Sequence, residues 1–69
     1  MRGGWKAVER LHRRFERERD LEALRDLVRR AREAAESLDG VERTRAGFYL
    51  ARMERDLRKW EVLVRRGAA

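Results

Sequence analysis

The single histidine of this chain, His12, has Glu9 three positions before it and Glu16 four positions after it. On a helix those spacings bring all three side chains to one face. Glu9-Arg10-Leu11-His12 has the Glu-x-x-His spacing of di-metal carboxylate bundles. Those sites need two such motifs and two further glutamates on facing helices. Here there is one copy, no glutamate is placed to complete it, and cationic side chains crowd the same stretch. The simpler reading is that His12 is a polar surface residue. No metal and no other cofactor is expected.

Nucleophilic catalysis lacks its parts. Ser37, Thr44 and Tyr49 are the only hydroxyls. Ser37 and Thr44 fall where a turn and its caps are expected, far along the chain from His12. The carboxylate pairs Glu18/Glu22 and Glu22/Asp26 are helical neighbours on polar faces, not a cleft. No glycine-rich phosphate loop is present. The chain reads as a binding protein and not an enzyme.

The stronger signal is a line of charge. Arg45, Arg52, Lys59 and Arg66 recur every seven residues, so they stack in a row along about 30 Å of helix. Arg55 lies one turn from this row, with Phe48 and Val62 between its members. Arginine forks fit phosphate oxygens, and an aromatic face can stack on a base. The chain has no Asn or Gln, so the usual bidentate reader of adenine is missing. Phosphate contacts through Arg45, Arg52, Arg55, Lys59 and Arg66, with Phe48 as a stacking face, are therefore expected more than base readout. The opposing reading is a solvated face, with Asp26–Arg30, Glu54–Arg58 and Glu61–Arg65 as ordinary helix pairs.

These residues need helices to hold them. Ala46, Leu50, Met53, Leu57, Trp60 and Val64 step 4-3-4-3-4, and Leu24, Val28, Ala31, Ala35 and Leu38 step 4-3-4-3. Both are heptad seams. Gly40 suits a left-handed residue at a helix end, and Asp39 with Glu42 has the spacing of a capping box. The expectation is an all-α antiparallel two-helix hairpin in one domain, residues 1–69. Its helices run over about 5–38 and 42–66, with a turn at 39–41 and the first helix bent or broken near 16–20 if anywhere. The expected architecture resembles, in shape alone, ROP-like hairpin dimers, which bind RNA across a helix face.

Trp5, Val8, Leu11 and Phe15 share one side of the first helix, nearly opposite to Leu24 through Leu38. Glu16-Arg17-Glu18-Arg19-Asp20 lies between them without Gly or Pro, and Asp20 is at most a weak cap. One continuous helix would leave the Trp5–Phe15 stripe overhanging and open to a partner. Folding back as a third short helix onto Phe48, Ala51 and Val62 is the alternative. The thin hairpin predicts self-association into a four-helix bundle. A second function class follows: an adaptor or small regulatory subunit docking through Trp5, Val8, Leu11 and Phe15 onto a larger or acidic protein. In that case Glu22, Asp26 and Glu33 would cover the basic row. The same stripe with Lys6, Arg10, Arg13, Arg14 and Arg17 makes a brief amphipathic helix, diluted by Glu9, Glu16 and Glu18, so membrane contact is the weakest reading.

Composition sets the bounds. The net charge is +6 over 69 residues, of which 46% are charged. Residues 1–19 carry seven Lys/Arg against three acids, 20–40 four against six, and 41–69 eight against four. A basic surface for an acidic partner follows, with an acidic middle beside it. Cysteine is absent, which excludes disulfides and thiolate metal sites. No apolar run approaches the roughly 18 residues of a membrane span. Met1-Arg2-Gly3-Gly4 leads into charge and not into an apolar leader, so a cytoplasmic setting is expected. The absence of Asn, Gln and Cys suggests a thermophile. A GC-rich genome explains the arginine excess equally well.

Overall fold

The chain breaks where two carboxylates offer the backbone something better than helix. The structure, a computed structural model, describes residues 4–67 and contains three helices there: α1 Gly4–Arg17, α2 Leu21–Glu36 and α3 Gly40–Gly67. At the end of α1 the Glu18 amide donates to the Phe15 carbonyl at 3.2 Å. The Glu18 carboxylate then accepts from the amides of Arg19 (3.2 Å) and Asp20 (3.1 Å). Asp20 is extended, and its carboxylate accepts the Ala23 amide at 3.0 Å, capping α2.

The two-helix hairpin is thus corrected to a three-helix bundle: the first expected helix is two, and α1 folds back onto α2 and α3. A continuous helix would have kept two or three backbone hydrogen bonds, each worth about 0.5–1.5 kcal/mol net. Folding back buries Val8 and Phe15 and half-buries Trp5 and Leu11. Burying one large apolar side chain is worth about 1.5–3 kcal/mol, so burial decides the matter. The thin-hairpin reason for a four-helix dimer, and the likeness to hairpin dimers, lose their premise with it.

α2 runs back against α3 through a turn over residues 37–39, where Leu38 donates to the Ala35 carbonyl at 3.1 Å. Gly40 has the expected positive φ of 59°, but it opens α3 instead of ending α2. The hydroxyls take turn roles: Ser37 Oγ donates to the Ala34 carbonyl at 2.9 Å and Thr44 Oγ1 to the Gly40 carbonyl at 3.3 Å. Glu42 does not box with Asp39. Its carboxylate lies against Gly4 at the start of α1, where a Cβ would stand 2.6 Å from Glu42 Oε1.

Both seams line the core. Val8, Phe15, Leu24, Leu27, Val28, Ala31, Ala35, Ala46 and Met53 are buried, and Tyr49, Leu50, Leu57 and Trp60 pack against them. Val64 is the seam residue left exposed. α3 has 28 residues and α2 only 16, about 42 Å against 24 Å. The overhang therefore sits at the far end of α3, at Val62, Leu63 and Val64, and not at Trp5–Phe15. No helix among the described residues is long and apolar enough to cross a membrane. Met1, Arg2 and Gly3, which carry the expected leaderless start, lie outside the described residues.

Candidate nucleic-acid interface

α3 is amphipathic in charge as well as in hydropathy. With Ala46, Leu50, Met53, Leu57 and Trp60 turned inward, three heptad rows must face solvent. These are Val41-Phe48-Arg55-Val62, Thr44-Ala51-Arg58-Arg65 and Arg45-Arg52-Lys59-Arg66, and all twelve residues are exposed. The three rows hold seven cations and no acid. Among the described residues none of the seven joins an ion pair. The expected row is thus present, and Arg58 and Arg65, which the sequence reading left to neighbouring acids, belong to the same face.

The acids of α3 are taken up elsewhere. Glu54 accepts from Arg32 Nη2 at 2.8 Å and Glu61 from Arg25 Nε at 3.1 Å, both across to α2. The expected Glu54–Arg58 and Glu61–Arg65 pairs are replaced by these two bridges, one heptad apart on each helix. Asp26–Arg30 does form, at 2.8 Å. Arg29 bridges Asp26 and Glu33; the hydrogen bond it donates to Asp26 and then the charge of that carboxylate, joined by that of Glu33, raise the guanidinium pKa. Glu22 pairs with Arg25 at 2.9 Å. Glu22, Asp26 and Glu33 are therefore bound to arginines of their own helix, and Arg45, Arg52, Lys59 and Arg66 stay exposed. Asp56 and Glu16 edge the face on its α1 side, lining a cleft with His12, Arg52 and Arg55.

The Trp5–Phe15 stripe is not an open surface. Val8 and Phe15 are interior, and Trp5 and Leu11 are half-buried against the core. An α1 face that would be apolar and naked on a lone helix finds its partner inside the bundle. The fold-back also misses the expected target: Phe48, Ala51 and Val62 remain exposed, and α1 lies against Tyr49 instead. His12, expected on the surface, is buried with its ring 5.3 Å from that of Tyr49. Its Nε2 stands 3.8 Å from Glu16. Glu9 is held by the Tyr49 hydroxyl at 3.2 Å and lies 3.6 Å from Arg13.

One juxtaposition was invisible in the sequence. The Arg45 guanidinium carbon lies 5.1 Å from the Trp5 ring centre, a cation–π arrangement. Trp5 in turn lies parallel to Tyr49 with centroids 6.3 Å apart. Trp5, Arg45, Phe48, Tyr49 and Arg52 line a cleft of about 320 Å³ between α1 and α3. Further along, Arg55, Arg58, Lys59, Val62 and Leu63 line a shallower hollow of about 470 Å³. Trp5 and Arg45 are forty residues apart, and no spacing rule joins them. No protein-family model matches this chain, and no curated protein or solved structure matches it either.

Proposed function

We propose that this protein is a small non-enzymatic binding module that holds nucleic acid on the outer face of α3, chiefly through phosphates. The observation that carries it is the three outward heptad rows of α3, which hold seven cations and no acid, none of the seven in an ion pair among the described residues. Such a face keeps its charge available, and fixed cations on a long helix attract a polyanion well beyond contact distance.

The test is fluorescence anisotropy with duplex DNA, duplex RNA and single strands from low to physiological salt. Each phosphate neutralised releases counterions, so four engaged row cations give a log–log salt slope on the order of −3 to −4 for duplex, and seven about −6. Arg52→Glu with Lys59→Glu abolishes binding and leaves helicity unchanged, because both side chains are exposed. Absence of micromolar binding to every probe at low salt overturns the reading.

A protein partner is the second reading, favoured by Val41, Phe48, Val62 and Leu63 standing exposed among the arginines. It would use this face and not the Trp5–Phe15 stripe. Sedimentation showing mass that grows with concentration, together with failed nucleic-acid binding, would favour it.

A further inference from the structure

The cleft between α1 and α3 has the parts of a nucleotide seat. Phe48 is 67% exposed, and no aromatic ring among the described residues stacks on it. Arg45 is one turn before it and Arg52 one turn after, so one aromatic face lies between two guanidinium groups along the helix. The wall behind is fixed. Tyr49 is held by its hydrogen bond to Glu9, by the ring of His12 and by the ring of Trp5. Trp5 is covered on its other contact by Arg45. The charged groups lining the cleft are two guanidinium groups, and the Tyr49 hydroxyl gives its one proton to Glu9. The occupant must therefore be flat on one side and anionic on its flanks.

We propose that this cleft takes an unpaired nucleobase stacked on Phe48, with the flanking phosphates on Arg45 and Arg52, so that the protein prefers single strands to duplex. The inference rests on the nucleic-acid reading of α3 and adds to it the strandedness of the ligand. In a duplex the base faces are occupied by their neighbours, and only phosphates reach the protein. A single strand offers both. Stacking is tolerant of base identity, which agrees with a cleft lined by no carboxylate and no side-chain amide to read a base edge.

The experiment compares a labelled twelve-residue oligo-thymidine with a twelve-pair DNA duplex, against wild type, Phe48→Ala and Phe48→Trp. Phe48 is exposed, so both variants should fold, which their melting curves check. Phe48→Ala should weaken the single strand roughly five- to a hundredfold, as loss of one stacked base does, and leave the duplex nearly unchanged. Phe48→Trp should hold or tighten the single strand. Trp60→Phe leaves Trp5 as the sole tryptophan, and its emission should change on saturation with oligo-thymidine. In Trp5→Phe the remaining Trp60 should stay unchanged. Equal single-strand affinity for wild type and Phe48→Ala, or a silent Trp5 at saturation, overturns the stacking seat; the basic face survives if the duplex still binds. Failure of both probes at low salt removes both readings together.

Discussion

The Tyr49 hydroxyl donates to the Glu9 carboxylate at 3.2 Å, tying α3 to α1 across forty positions of sequence. Glu9 also has Arg13 at 3.6 Å, so it stays compensated if the hydroxyl is removed. Tyr49→Phe should therefore cost only about 0.5–1.5 kcal/mol. In a domain of this size each kcal/mol lowers Tm by about 4–8 °C. A circular-dichroism melt reads it, and a loss far above that range would mean that Glu9 depends on Tyr49 alone.

Leu24 is fully buried, Phe15 is 4% exposed and Val62 is 42% exposed. Leu24→Ala should cost about 2–5 kcal/mol and Phe15→Ala about 3–5 kcal/mol, while Val62→Ala should cost well under either. Leu11→Glu with Phe15→Glu should unfold the protein outright. Urea titration of the single variants ranks them, and a Phe15→Ala as mild as Val62→Ala would place α1 off the bundle.

Asp20 caps α2 through Ala23. Asp20→Ala should lose about 0.5–2 kcal/mol, and Asp20→Ser should recover most of it, since serine is also a good cap. Thermal melts of the pair test this. Equal losses in both variants would assign the break to Glu18 instead.

Glu54 and Glu61 are paired at the flank of the basic face, with exposed arginine partners. Such pairs contribute about 0–1 kcal/mol each. Glu54→Gln with Glu61→Gln should hardly move the melting curve, yet it removes two negative charges beside α3. Nucleic-acid affinity at low salt should rise. An unchanged or weaker affinity would show that the ligand does not sense this flank.

Much of the interior was legible because heptad spacing is a property of one helix at a time. The seam residues Leu24 through Leu38 and Ala46 through Trp60 needed only the turn near Gly40 to meet. The break at Glu18–Asp20 was not legible from turn residues, since no glycine or proline marks it. The warning lay in the faces: Trp5–Phe15 and Leu24–Leu38 point opposite ways on one helix, and folding back lets both be buried. His12 followed α1 inward because, at about 100° per residue, it falls between Val8 and Trp5 on the side of the helix that turns in. On α3 the basic row was readable from period seven alone. The cleft was not, because Trp5 and Arg45 meet only after three helices have packed.

The up-down-up order of the helices also gives the face a polarity. α3 is longer than its neighbours, and its last turn, with Arg65 and Arg66, ends beyond them. Free carbonyls at a helix C-terminus amount to about half a negative charge. Arg65 and Arg66 stand over that negative pole and are partly offset by it. The opposite pole holds an acid in its first turn, Glu42, which offsets the free amide groups there. The seven cations are therefore not equivalent. Arg55, Arg58 and Lys59 stand clear of both poles and within about one turn of each other, so their charges are the least offset of the seven.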